Sequence, residues 1–261
     1  MTKADSLEIA RLAIAPRDPS RVDYGMVLAA GRGTRLGALG RQTPKALLEV
    51  GGEFLIDQAL AGLEVAGAVG AVVNASHLKK QIQSHLIKAQ PPLPVQLSLE
   101  EEPLETGAGI VKALPLLGSS PFFAVNVDIW WAGSLAAGLE TLKKAWRPDA
   151  MDVLLLVLPT VRANGYVGKG DFYMDGIGRL ARKHEAETAP FLFTGAQILH
   201  PRAFIDPPDC TFSLNKIYDR AATAGRLFGV SHSGGWLDVG TPSRLAQARA
   251  LADENNQPSL L

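Results

Sequence analysis

The sequence predicts an α/β fold with a mixed, mainly parallel central sheet flanked by helices. Three observations lead there. Short apolar runs alternate through the first half of the chain with segments whose apolar residues recur at helical spacing, the pattern of repeated strand–helix units. The first run, Tyr24-Gly-Met-Val-Leu-Ala-Ala30, stops in a glycine-rich loop, as a buried strand entering a functional turn does. Hydrophobic residues make up 47% of the 261, enough to cover such a sheet within one large domain.

Taken in order, Tyr24–Ala30 is the first strand. Phe54–Ala66 carries apolar residues at helical spacing, Ala71–Asn74 is a short strand, and Leu78–Lys88 is a helix with Lys79, Lys80, Gln81 and Gln83 outward. The break at Pro91-Pro-Leu-Pro94 precedes a strand at Val95–Leu99, an acidic loop Glu100–Thr106, a helix near Ala108–Leu117, and a strand Phe122–Asn126 that runs into Asp128. Ligands of such sheets gather at the carboxyl ends of the strands. The second half is less regular: a helix at Ser134–Trp146, a buried strand Asp152–Leu158, a hairpin through Asp175-Gly176, a strand Phe191–Leu199, a helix Ser213–Ala224 and a strand-like Trp236–Val239. The expected domain spans residues 22–254, with an N-terminal arm at 1–21 and a tail at 255–261.

Charge and cysteine content narrow the function. Lys plus Arg equals Asp plus Glu, so no global basic field gathers nucleic acid or anionic lipid. The single cysteine, Cys210, has no intrachain disulfide partner, and Asp5, Glu8, Arg11 and Arg17 interrupt any signal-peptide core in Met1–Ser20. The best apolar run, Val153–Leu158, is far short of the roughly 20 residues a membrane span needs. The expectation is a cytoplasmic monomer or homodimer with neither nucleic-acid nor membrane partners.

The strongest local signal is Leu28-Ala-Ala-Gly-Arg-Gly-Thr-Arg35 followed by Pro44-Lys45. Glycines let a backbone approach a polyphosphate and present N–H donors, while a guanidinium and an ammonium neutralise charge moving onto a leaving pyrophosphate. Other phosphate loops fit less well. In Gly31-Arg-Gly-Thr-Arg-Leu-Gly37 the third glycine is one position late for a dinucleotide fingerprint, and no Gly-Lys-Ser/Thr follows to make a Walker loop. Standing alone, the loop also reads as a glycine-rich turn with solvated arginines.

The glycine loop and Pro44-Lys45 together resemble the signature of the sugar-phosphate nucleotidyltransferase family, and the resemblance runs from Tyr24 to about Ala252. Within the family, Pro103-Leu-Glu-Thr-Gly-Ala-Gly109, Gly170-Asp-Phe172, Phe193-Thr-Gly195, Leu199-His-Pro201 and Trp236-Leu-Asp-Val-Gly240 are most similar to the branch that uridylylates N-acetylmuramate 1-phosphate in cell-wall recycling. The resemblance implies a Rossmann-like, GT-A-like fold, a nucleoside triphosphate and a sugar 1-phosphate as substrates, and Mg²⁺ as cofactor. It assigns Ala29, Ala30, Gly31, Gly33, Thr34, Arg35, Lys45, Glu102 and Gly107 to the nucleotide, and Asn74, Glu105, Gly168 and Gly195 to the sugar phosphate. Arg35, Lys45, Asp128 and Asp238 would be catalytic, the two aspartates holding the metal.

Each assignment has a plainer reading beside it. Aspartates at strand ends form turns and cap helices; Glu100-Glu-Glu102 reads as a solvated acidic turn, Thr106 as a helix cap, and Asn74 as a turn former. Trp130, Trp131 and Trp236 either stack on sugar or pack in the core. The implied chemistry is in-line attack of a sugar-phosphate oxygen on the α-phosphorus, with no protein nucleophile. It leaves His77, His85, His184, His200 and His232, which lack compact ligand spacing, without a catalytic role.

The sequence also departs from the family. Ala108 and Val127 stand where relatives commonly have glycine, Ser213 where some have lysine, and the Glu-Lys-Pro segment is absent, leaving Lys169, Arg179 or Arg182 as substitutes. Guanylyl transfer to mannose or heptose 1-phosphate is the alternative within the family. A nucleotide-sugar-binding regulatory protein without turnover is the alternative outside it.

Overall fold

The structure, a computed structural model, describes residues 21–133 and 135–256. The expected arm, apart from Arg21, lies outside the described residues, as do Ser134 and residues 257–261.

In chain order the elements are β1 (Tyr24–Leu28), α1 (Leu55–Val65), β2 (Gly70–Ala75), α2 (Lys79–Ala89), β3 (Val95–Leu99), α3 (Glu105–Leu117), β4 (Phe122–Asn126), α4 (Leu135–Ala145), β5 (Val153–Pro159), β6 (Phe172–Met174), β7 (Leu180–Arg182), β8 (Phe191–Leu199), α5 (Asn215–Thr223), β9 (Leu227–Ser231) and α6 (Pro242–Asn256). The nine strands make one mixed sheet. Strands β3, β2, β1 and β4 lie side by side and parallel, so their carboxyl ends share one rim. Strand β8 then runs antiparallel to β4, and its other edge carries β5, to which β9 adds in parallel. The β5 register on β8 shifts between Phe193 and Gln197, where Gly195 takes a left-handed φ of 92°.

Alternation along β1 shows why a continuous apolar run is needed here. Val27 faces a core shared with Leu60 and Leu63 of α1 and Leu139 of α4, while Met26 and Leu28 face Ile110 and Leu117 of α3 and Ile217 of α5. Helices thus cover both faces, and each fully buried side chain of this size contributes about 1.5–3 kcal/mol. The expected hairpin is β6–β7: Met174 pairs with Leu180, and the Asp175 carboxylate accepts from the Ile177 and Arg179 amides at the turn.

Several elements differ from expectation. Helix α3 starts at Glu105, inside the expected acidic loop, and Glu105 itself has a φ of 62°. Strand β9, helix α6 and a small ribbon at Glu49–Phe54 answer to no expectation. At the rim opposite the parallel strands' carboxyl ends, Asp152 accepts from Arg202 at 2.5 Å and from Arg226 at 2.8 Å. Among the described residues no helix is long and apolar enough to cross a membrane.

Candidate active site

The carboxyl ends of β1, β2 and β4 open into a cavity of about 340 Å³. Ala29, Ala30, Gly31, Lys45, Asn74, Glu105 and Asp128 line it, together with Val127, which stands where relatives commonly have glycine, and with Glu100 and Asn126, for which no role was expected. Gly33, Thr34 and Glu102 line a second, neighbouring cavity of about 480 Å³ with Arg32, Arg41, Ser76 and His77, and Pro103 borders both. The glycine loop thus runs between two openings on one rim.

Two cation–carboxylate pairs stand beside it. Lys45 Nζ donates to Asp128 Oδ2 at 2.6 Å, both side chains being mostly buried. Arg35, more exposed, lies 3.8 Å from Asp238. The aspartates, 110 positions apart in sequence, are brought together by a two-strand ribbon: Ile129–Trp130 pairs antiparallel with Leu237–Asp238, and the Val239 amide donates to the Asp128 carbonyl at 3.0 Å. Asp238 Oδ1 also accepts from the Gly240 amide at 2.7 Å, which fixes its rotamer. At Gly240 a Cβ would stand 2.6 Å from Arg35 Nη2, so the guanidinium lies directly over that glycine. Two carboxylates on adjacent strands suit a hard cation that takes one or two carboxylates and fills its remaining positions with phosphate oxygens and water. Among the described residues no cluster of three or more His, Cys, Asp or Glu could hold a metal unaided.

Sequence reasoning missed Glu100. It reads as the first of three solvated glutamates, yet it is 1% exposed, and its carboxylate accepts from Asn74 Nδ2 at 2.7 Å and the Leu104 amide at 3.0 Å. Asn74, 3% exposed, accepts in turn from the Ala29 amide at 2.8 Å, so that N–H is already engaged. The available signal was position: Glu100 directly follows β3 at the rim where ligands gather, one strand removed from β1. Glu102, the expected base contact, is exposed and pairs with Arg32 at 3.2 Å.

The remaining expected residues divide. Gly195 faces Asn126 and Ile129, where a Cβ would meet carbon atoms at 3.0–3.1 Å. Gly107 is buried against Phe212: its amide donates to the Phe212 carbonyl at 2.9 Å, and a Cβ would stand 2.4 Å from the ring. Thr106 makes no helix cap; its hydroxyl accepts from the Leu214 amide at 3.0 Å. Gly168 stands on an exposed loop against Tyr166, outside the residues lining either cavity. Trp130, Trp131 and Trp236 are buried, which fits packing, and Trp236 donates to the Thr194 carbonyl at 2.8 Å. Arg182 is held by Asp219 at 2.8 Å and Arg179 lies over Phe228. Of the histidines, His85 pairs with Asp57, and His232 stacks edge-on to Trp131 with its pKa lowered by burial.

A glycine-rich loop and two cation–carboxylate pairs on the rim of a mixed α/β sheet form the kind of arrangement a nucleotidyltransferase needs, and that is the class of this protein. The model of the MobA-like NTP transferase domain matches residues 25–173. The N-acetylmuramate alpha-1-phosphate uridylyltransferase of Caulobacter vibrioides is 38% identical over 233 residues, 87% of this chain and 96% of that protein. Its namesake from Neisseria meningitidis serogroup B is 34% identical over 232 residues, 87% of this chain and 97% of that protein. A UDP-glucose pyrophosphorylase solved with UDP-glucose superimposes with a TM-score of 0.74, covering 90% of this chain and 100% of that one at 16% identity, a likeness of fold. The chain belongs to the MobA-like NTP transferase family and, within it, to the sugar-1-phosphate nucleotidyltransferases.

Proposed function

We propose that the protein transfers a uridylyl group from UTP to N-acetylmuramate α-1-phosphate in the cytoplasm, releasing pyrophosphate and supplying peptidoglycan recycling. The relatives that share 38% and 34% identity across almost their whole length carry that activity in their names. The geometric observation that carries the reading is the Lys45–Asp128 pair at the cavity wall, with Asp238 on the neighbouring strand.

In this reading the glycine loop at Ala30, Gly31, Gly33 and Thr34 cradles the triphosphate, and the cavity beside Asn74, Glu105 and Asn126 receives the rest of the substrates. Asp128 and Asp238 would hold Mg²⁺, which supplies charge neutralisation between the two phosphates when bound. Lys45 and Arg35 then leave the carboxylates for phosphate oxygens, so the site exchanges one set of neutralised charges for another. An oxygen of the sugar phosphate forms the new bond to the α-phosphorus as the bond to the β-phosphate oxygen breaks. The electron pair leaves with pyrophosphate, whose developing charge Lys45 and Arg35 stabilise. The attacking phosphate is ionised near neutral pH, so no side chain has to remove a proton from it.

The test is pyrophosphate release with Mg²⁺ across UTP, GTP, CTP, ATP and dTTP, each paired with N-acetylmuramate 1-phosphate, glucose 1-phosphate and mannose 1-phosphate. Release confined to UTP with N-acetylmuramate 1-phosphate is the expected result. Preference for GTP with mannose 1-phosphate would replace the assigned substrates, and nucleotide binding with no release in any pairing would remove the catalytic reading.

A further inference from the structure

Asn74 and Glu100 form a hydrogen-bonded chain across three adjacent strand ends. The Ala29 amide, just past β1, donates to Asn74 Oδ1 on β2; Asn74 Nδ2 donates to Glu100 Oε1, just past β3; and the Leu104 amide, leading into α3, donates to Glu100 Oε2. Both side chains are buried and line the cavity. Helix α3 sits on the pair through Gly109, where a Cβ would stand 2.9 Å from Glu100 Oε1 and 3.0 Å from Asn74 Nδ2.

We propose that Glu100 and Asn74 are positioning residues for the nucleotide, holding the glycine loop in place at Ala29 through this chain of fixed polarity; the proposal rests on the reading of the cavity as the nucleotide site. The donor accounting permits one arrangement. Two N–H groups, from Asn74 and Leu104, converge on residue 100, so that residue must be acceptor-only, and among uncharged or anionic side chains an ionised carboxylate is the group that supplies two such oxygens. Glutamine fits the space but sets an NH₂ against one of the two donors. A buried negative charge beneath a polyphosphate site is electrostatically adverse, so the neutral isostere would be the better choice if the pattern allowed it. Asn74 is likewise oriented: turned over, its NH₂ would face the Ala29 N–H.

Reversing the polarity provides the test. Glu100→Gln alone sets its NH₂ against one of the two donors. Asn74→Asp alone sets a second carboxylate against Glu100. Combined, they satisfy every group again: the new amide donates to the new carboxylate, its carbonyl accepts from Leu104, and the carboxylate's other oxygen accepts from Ala29. Each single variant is expected to raise the nucleotide KM on the order of tenfold, with a smaller change in kcat, and to speed hydrogen exchange at the Ala29 amide. The double variant is expected to return both to near wild type. Single variants with wild-type KM and wild-type Ala29 exchange overturn the proposal, as does a double variant no better than the two singles combined. Should a single variant fail to fold, the double decides: folded with a near-wild-type KM it supports the relay, and unfolded or impaired it overturns it. If the wild-type protein releases no pyrophosphate at all, the functional reading falls, while exchange at Ala29 still decides the relay.

Discussion

Asp128 and Asp152 are both mostly buried carboxylates beside neighbouring parts of one sheet, and they are neutralised in opposite ways. Asp128, past the carboxyl end of β4, meets a single ammonium at 2.6 Å, and both partners line an open cavity. Asp152, ahead of β5 at the other rim, meets two guanidiniums, and those are anchored elsewhere as well: Arg202 donates to the Pro148 and Met151 carbonyls and Arg226 to the Asp149 carbonyl. Burial pushes the Asp152 carboxyl upward in pKa, but the bonds and charges of Arg202 and Arg226 outweigh it and hold the group below its usual range. A planar guanidinium with several donors locks chain segments together, whereas one ammonium on a long stem can let go. The Asp152 end ties β5, β9 and the turn after β8, whereas the Asp128 end has one partner at an open cavity, and in the proposed mechanism that partner is exchanged.

The comparison breaks most sharply at Asp128. Asp128→Asn or Lys45→Ala should lower turnover on the order of 10²–10³-fold, as loss of a preorganised charge-stabilising group does, with a small change in melting temperature. Near-normal turnover in folded variants would remove both residues from the chemistry. Asp152→Ala should do the converse: leaving two arginines without their shared carboxylate costs about 2 kcal/mol or more of stability by chemical denaturation, while the folded fraction turns over at the wild-type rate. A smaller effect is expected at Gly240→Ala, where a Cβ would press on Arg35 Nη2 at 2.6 Å and Asp238 Oδ1 at 2.8 Å. Displacing both by a few tenths of an ångström should lower kcat about tenfold with the fold intact, by the sensitivity of catalysis to misplacement. An unchanged kcat would mean that Arg35 need not lie where it does.

The two regions were not equally legible in the sequence. Strand β1 and its loop stood out because a doubly buried strand needs an unbroken apolar run and a phosphate turn needs glycines, both local signals. The pairing of Asp128 with Asp238 came from resemblance, since the ribbon that joins them spans two residues on each side and has no periodicity of its own. Helix α6 went unread because small residues form much of its buried stripe, with Leu245, Ala248 and Ala252 giving little contrast to their neighbours. Glu100 was hidden by its own neighbours: in a run of three glutamates, the one turned inward depends on Asn74, 26 positions earlier in the chain, and on the close approach of Gly109 from α3. The Asp152 cluster was invisible for the same reason, its arginines coming from positions 202 and 226.

The smallest expected effect separates the two ends by pH. His200 follows β8, and its Nδ1 accepts from the Arg202 amide at 3.2 Å, so the cluster needs this histidine neutral. Burial first, and then the charge of Arg202, lower its pKa from 6.5 to about 4, with Asp152 opposing and Arg226 adding to the shift. Because the folded pKa lies below the unfolded one, the unfolded chain binds the proton more readily between those values. Stability from this group is therefore fully present above about pH 6.5 and declines as pH falls toward 4. Asp152, also depressed in the fold, adds its own loss only at lower pH, as acid reaches the carboxylate range. Replacing His200 with Asn keeps a capping acceptor and removes the titration, so the fall in unfolding midpoint between pH 7 and pH 4 should become shallower. It should not vanish, because His232, lowered by burial, titrates with the same sign. An unaltered slope would mean that the Arg202 end does not sense this proton, and the contrast between a locked rim and an exchangeable one would then rest on Asp152 alone.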